Sequence, residues 1–135
     1  MNVRVICTTD DPIDSLGYHK TLAESDFKVK IKPAFRPDKA MEVSSATHFI
    51  AYIKKLEAVT NLSVSSFEDY LFALQNRHDF FASMGCSVSD HGLEEIYVED
   101  FTGQEIEAIF TKVFGGKELS LIEQRTLFPY TTLFR

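Results

Sequence analysis

Cys86-Ser87-Val88-Ser89-Asp90-His91-Gly92-Leu93-Glu94 decides how this chain is read, because a short apolar run ends there on an acid, an imidazole and a glycine. The run is short enough for a strand and too short for a helix. A strand that stops on Asp90-His91-Gly92 presents titratable side chains at a sheet edge, where open α/β sheets and α/β barrels gather ligands. Val3 to Asp11 and Val29 to Asp38 repeat that layout earlier in the chain.

Val3 to Cys7 is β-branched and apolar apart from Arg4, and Thr8-Thr9-Asp10-Asp11-Pro12 follows as a strand end joined to a helix start. Asp11 is placed as N-cap, with Pro12 at the first helical position, where a missing N–H costs nothing. The helix is predicted to run to about Glu24, with Ile13, Leu16 and Ala23 on one face and Gly17 weakening it. Phe27 to Ala34 then alternates Phe27, Val29 and Ile31 with Lys28, Lys30 and Lys32, the period of a strand with one covered face. Pro33 and Pro37 punctuate its exit.

Between Ser44 and Thr60 the residues Phe49, Tyr52, Ile53 and Leu56 have the spacing of an amphipathic helix, and a break follows from Thr60 to Ser63. Ser65 with Glu68 has capping-box spacing and opens the strongest helix, whose stripe holds Phe67, Tyr70, Leu71, Leu74, His78 and Phe81. His78, beside Asp79, is therefore predicted to pack in the core or against a helix, and Gly85 to end the helix in the left-handed region. Thr102 with Glu105 opens a further helix carrying Ile106, Ile109, Phe110 and Val113, which Gly115-Gly116 stops.

Ser120 with Glu123 again has the spacing of a helix start, yet no helical period follows. Arg125 to Arg135 reads RTLFPYTTLFR, with Thr-Leu-Phe occurring twice, and is expected to be a cloning or sequencing remnant outside the natural fold. Residues 1–124 are then expected to form one α/β domain of about three parallel βα units with additional helices. Three units do not close a (β/α)8 barrel, for which eight units and about 250 residues are typical.

The 135 residues are 44% hydrophobic and 13% aromatic, enough to bury a core, which argues against disorder. A net charge of -6 with 14 scattered basic residues argues against a nucleic-acid or anionic-membrane partner. No apolar run approaches the ~20 residues of a membrane span and no export signal opens the chain, so a cytoplasmic location is expected. Cys7 and Cys86 make neither a disulfide framework nor a zinc motif, and are expected to be buried, reduced thiols.

Three residues stand out for chemistry. Arg36, just past a strand in Ala34-Phe35-Arg36-Pro37-Asp38-Lys39, can hold a carboxylate or phosphate with two parallel hydrogen bonds, or simply pair with Asp38 or another loop acid. Asp10 is the better functional candidate of its carboxylate pair, since Asp11 is needed as a cap. His91 suits general acid or base work, or a plain hydrogen bond to a carbonyl; Asp90 points elsewhere if the strand continues. A Cys86–His91 nucleophilic pair is poor, because along an extended strand the two lie about 16 Å apart at ~3.3 Å per residue. His19, His48 and His78 fall in predicted helices at no common metal-ligand spacing, and there is no phosphate-cradling glycine loop. A phosphoacceptor receiver module also carries an acidic pair after its first strand, but neither Asp38 nor Asp90 fills the phosphoacceptor position cleanly.

Thr8-Thr9-Asp10-Asp11-Pro12-Ile13-Asp14-Ser15-Leu16, Arg36-Pro37-Asp38-Lys39-Ala40 and Ser89-Asp90-His91-Gly92-Leu93, in this order and at these separations, closely resemble uronate isomerase. The resemblance runs from Asn2 to about Gln124. It implies the amidohydrolase superfamily of TIM barrels, here an incomplete barrel, and interconversion of D-glucuronate with D-fructuronate and of D-galacturonate with D-tagaturonate. It also implies a hexuronate as partner, His91 for proton transfer or carbonyl polarisation, Arg36 for the uronate carboxylate, and Asp10 for a hydroxyl or for neighbouring side chains. The family uses a divalent metal such as zinc, held in part by a His-x-His pair on the first barrel strand. Neither that pair nor the family's last-strand Asp and Arg can be matched here, so the resemblance implies an internal fragment, with Met1 an internal methionine, that binds no metal and is inactive by itself. Phe35 stands where the family usually has Trp, keeping an aromatic wall and losing an indole N–H donor. A related barrel hydrolase is the rival enzyme reading.

Overall fold

The structure, a computed structural model, describes residues 2–92 and 97–128. Its elements run β1 (Val5–Cys7), α1 (Gly17–Ala23), β2 (Lys30–Lys32), a 3₁₀ helix (Asp38–Ala40), α2 (Ala46–Thr60), α3 (Phe67–Ser83), α4 (Gly103–Phe114) and α5 (Leu121–Leu127). The sheet is small and parallel, with Val5, Ile6 and Cys7 opposite Lys30, Ile31 and Lys32. Single bridges carry the pairing onward, Asp10 with Phe35 and Phe35 with Ser89. The third expected strand is thus one bridge at Ser89, fixed by Phe35 N–H to Val88 O at 3.1 Å and Asp90 N–H to Phe35 O at 3.2 Å. The result is an α/β layout of two short strands and five helices among the described residues, in which three parallel chain segments end side by side.

The main core belongs to the helices. Phe49, Ile53 and Leu56 of α2, Tyr70 and Leu74 of α3, and Phe110 and Val113 of α4 form one buried cluster, with the rings of Phe49, Tyr70 and Phe110 meeting at 5.4–6.0 Å. These are the stripes that a 3.6-residue period predicts, and their burial is what holds helices that are individually marginal in water. Tyr70 is fully buried and its hydroxyl donates to Ala40 O at 2.6 Å, which ties the 3₁₀ helix to this core. A smaller cluster of Leu16, Phe35 and Phe81 joins the strand ends to α3.

Several expectations are corrected. The first helix begins at Gly17, not at Pro12. Asp11 caps a turn instead, accepting from Ile13 N–H at 3.1 Å, while Arg77 of α3 takes the carbonyls of Pro12 and Asp14 at 2.6 and 2.8 Å. A helix through this stretch would need those carbonyls for its own bonds. The capping box of α3 is Ser66 with Asp69, one residue later than predicted, because Ser66 has the extended backbone from which a side chain reaches the third helical N–H. Thr102 with Glu105 does form the predicted box, and Gly85 (φ 86°) does end α3 in the left-handed region. Ser120 with Glu123 also forms a box, and a helix does follow, over Leu121–Leu127.

Leu127 and Phe128 are buried, with the Phe128 ring 6.2 Å from that of Phe49. Of the tail expected at 125–135, residues 129–135 lie outside the described residues. His78 is not buried: its side chain is 52% exposed, and its ring meets that of Phe35 edge-on at 5.4 Å. Cys7 is exposed and Cys86 half-buried, both as free thiols; among the described residues nothing covers the part of β1 where Val3, Val5 and Ile6 are exposed too. Among the described residues no helix is long and apolar enough to cross a membrane.

Candidate active site

Two polar clusters form where the parallel segments end. The first surrounds Asp10. Its Oδ2 accepts from the Thr8 hydroxyl at 2.6 Å and from Ala34 N–H at 3.3 Å. The Thr8 oxygen also lies 2.7 Å from His19 Nε2, and with its own proton given to Asp10 it takes the imidazole N–H as acceptor. Thr8 and Asp10 are two apart, so an extended backbone places both on one face, and α1 brings His19 over them. The carboxylate thus cross-links the end of β1 to the segment leaving β2, and it is largely covered.

Asp11 has a separate set of partners. Besides Ile13 N–H it accepts from the Tyr52 hydroxyl at 2.9 Å and pairs with Lys39 at 3.3 Å. Burial pushes the Tyr52 phenol well above its ordinary value, and the charges of Tyr70 and Asp11 add to this. Tyr52 therefore acts as a hydrogen-bond donor that ties α2 to the turn after β1.

The second cluster gathers residues far apart in sequence. Arg36 follows β2 and pairs through Nη2 with Asp90. Its Nε lies 3.8 Å from Asp38 Oδ2. The hydrogen bond and charge of Asp90 hold the guanidinium further above its already high value, against the opposing effect of burial. Asp38, at the start of the 3₁₀ helix, uses one oxygen for each of two neighbours: Oδ1 is 3.2 Å from His91 Nδ1, and Oδ2 accepts from Gly92 N–H at 2.8 Å. The His91 ring is mostly covered, whereas Asp38, Arg36 and Asp90 are each about a third or more exposed. Buried Arg36 Nε and Asp90 Oδ1 lack a hydrogen-bond partner among the described residues. A cavity of about 290 Å³ opens beside this cluster, with Asp38 and Gly92 in its wall together with Glu42 and Tyr97.

Of the three residues singled out from the sequence, Arg36 and His91 come together through Asp38, while Asp10 sits with Thr8 and His19. Among the described residues no hydrogen bond or ion pair links the Asp10 side chain to Arg36 or His91. Asp90 meets Arg36, while His91 meets Asp38. Sequence reasoning missed Asp38 as the joining residue and His19 as the partner of Thr8. The available signal for Asp38 was its place two residues from Arg36 across Pro37, a ring that restricts the backbone between them. Cys86 Sγ contacts Val88 O at 3.2 Å and plays no part in either cluster. Phe35 is buried edge-on against Phe81 at 5.2 Å and, as a phenyl ring, donates no hydrogen bond.

A divalent metal does not fit these residues. Among the described residues no three His, Cys, Asp or Glu side chains converge as an ion would require. Each carboxylate of the second cluster is already turned toward a cation or an N–H group.

Residues 1–134 match the glucuronate isomerase family. The uronate isomerase of Bacteroides thetaiotaomicron is 56% identical over 119 residues, which are 88% of this chain and 25% of that protein. The uronate isomerase of Caldanaerobacter subterraneus is 42% identical over 134 residues, 98% of this chain and 28% of that protein. Among solved structures, the uronate isomerase of Thermotoga maritima superposes with a TM-score of 0.88 at 32% identity, covering 96% of this chain and 28% of that one. The glucuronate isomerase of Caulobacter crescentus superposes with a TM-score of 0.82 at 25% identity, covering 93% and 26%. The chain thus spans about a quarter of the length of the relatives it matches.

Proposed function

The chain belongs to the glucuronate isomerase family, and from that premise we propose that it is the part of a cytoplasmic uronate isomerase that carries one side of the active site. The three parallel segment ends are read as consecutive strands of a TIM barrel whose other strands lie in the remaining length of the relatives. The substrate is a hexuronate, D-glucuronate or D-galacturonate, converted to the 2-keto sugar acid. Receiver-type and barrel-hydrolase readings are not favoured by these relatives.

In the aldose-to-ketose direction a base removes the proton on C2 while the C1 carbonyl oxygen is protonated, giving the enediol. The C2 hydroxyl then loses its proton as a proton is delivered to C1, so the sugar keeps its atoms and electrons and two hydrogens change place. His91 is assigned the proton transfer, since an imidazole both gives and takes protons near neutral pH. Arg36 is assigned the uronate carboxylate: only Nη2 is engaged by Asp90, and buried Nε has no hydrogen-bond partner among the described residues. A planar guanidinium with donors to spare suits a carboxylate. Of the two roles expected for Asp10, support of neighbouring side chains fits its partners Thr8 and Ala34 better than a substrate hydroxyl.

The observation that carries this reading is the joining of Arg36 and His91 by one carboxylate at adjacent strand ends. The test is a graft. The 135-residue chain alone is expected to leave D-glucuronate unchanged. Residues 2–124 placed in the matching segment of the Bacteroides thetaiotaomicron relative are expected to give a protein that converts it. A soluble, folded graft without conversion would overturn the proposal.

A further inference from the structure

We infer that Asp38 is a positioning residue that fixes the tautomer and direction of the His91 imidazole, an inference that rests on the assignment of proton transfer to His91. A carboxylate only accepts hydrogen bonds, so an imidazole nitrogen 3.2 Å from Asp38 Oδ1 carries the proton of that contact. Nδ1 is that nitrogen, which makes Nε2 the basic atom of the neutral ring. A ring held through one nitrogen by an acid is oriented at the other, and the wrong tautomer removes the base without removing the residue.

The second oxygen makes the hold rigid. Asp38 Oδ2 accepts from the backbone N–H of Gly92 at 2.8 Å, so a single carboxylate grips both the ring of residue 91 and the main chain that follows it. Two contacts from one planar group leave the imidazole little room to turn about its own side-chain bonds. Arg36 Nε, 3.8 Å from the same oxygen, adds a positive charge on the far side of the carboxylate. Asp38 is in turn placed by the 3₁₀ helix, whose Ala40 carbonyl is held by the buried Tyr70 hydroxyl. The line from helical core to imidazole is therefore continuous: Tyr70, Ala40, Asp38, His91.

Gly92 supplies an independent reason to read this contact as tight. A Cβ added there would come within 3.1 Å of Asp38 Oδ2, closer than ordinary van der Waals contact. Glycine at this position lets the carboxylate approach the main chain. Gly92→Ala therefore displaces Asp38 by a few tenths of an ångström while removing no titratable group.

The test has two readouts, both accompanied by circular dichroism to show that each variant folds. In two-bond 1H–15N spectra of the 135-residue chain at alkaline pH, the neutral ring is expected to carry its proton on Nδ1. In Asp38→Ala it is expected to shift to the Nε2-protonated form. A wild-type ring protonated on Nε2, or one unmoved by Asp38→Ala, would overturn the inference. In the graft, Asp38→Ala is expected to lower kcat about 100-fold with KM little changed, Asp38→Glu to recover part of it, and Gly92→Ala to lower it about tenfold. A tautomer change with kcat unaltered would instead sink the assignment of His91 to proton transfer, so the two failures are distinguishable.

Discussion

The two polar clusters at the strand ends use similar residues to different effect. Around Asp10 the carboxylate, the Thr8 hydroxyl and the His19 ring nitrogen satisfy one another and the Ala34 backbone N–H. Around Asp38 the two carboxylates and the guanidinium are more exposed, and Arg36 Nε and Asp90 Oδ1 have no hydrogen-bond partner among the described residues. An acid beside a histidine is therefore not by itself a site. Buried polar atoms are ordinarily paired, so a cluster whose members use up one another's hydrogen bonds holds chain segments together, whereas one with donors and acceptors left over is prepared for a ligand.

That contrast can be broken by stability measurements on the 135-residue chain. The largest effect is expected from Arg77→Met, which strips the buried guanidinium from the carbonyls of Pro12 and Asp14 and frees the turn beneath the Asp10 cluster. Denaturant unfolding should show a loss of about 3 kcal/mol, from hydrogen bonds made by a charged group. Next, Asp10→Ala leaves the Ala34 N–H without its acceptor and the Thr8 hydroxyl with the longer contact to Lys32 O at 3.3 Å, and should cost about 2 kcal/mol. Asp90→Ala removes only a partly exposed partner of Arg36 and should cost less than about 1 kcal/mol. Equal losses for Asp10→Ala and Asp90→Ala would erase the distinction between a closed cluster and an open one.

The smallest effect is a control remote from both clusters. Lys112 first, and then Ser120, hold the Glu123 carboxyl down to about 2 from an ordinary 4.5. A depressed carboxylate contributes stability above its unfolded value and loses it as the pH falls through the folded one. The attachment of α5 to α4 should accordingly weaken between about pH 5 and pH 2. Carboxyl-carbon NMR of Glu123 would follow it, and Lys112→Met should bring the titration back toward the ordinary range. The pair is partly exposed, so added salt should weaken the effect.

The helices were legible in the sequence because their stripes and caps are local: Phe49 to Leu56 and the Thr102–Glu105 box need only their own neighbours to be recognised. The first helix was not, since its start is displaced by Arg77, a residue 65 positions from Pro12 that claims the carbonyls there. The cysteines and His78 were misplaced for a related reason. Period and residue type predict which side chains seek cover, but not whether the chain supplies anything to cover them. Arg36 and His91 could be singled out as residues at expected strand ends, whereas the contact of Asp38 with a ring 53 residues away is visible only in the fold. His19 likewise becomes a partner of Thr8 only when α1 folds back toward the strand ends, against β2.

The most direct test compares the two histidines in the graft, one from each cluster. His91→Gln is expected to reduce kcat for D-glucuronate by about 10²- to 10⁴-fold, the usual contribution of a positioned acid or base, while His19→Gln leaves kcat within about tenfold of the parent. A graft that keeps its turnover after His91→Gln, or loses it equally after His19→Gln, would contradict the account.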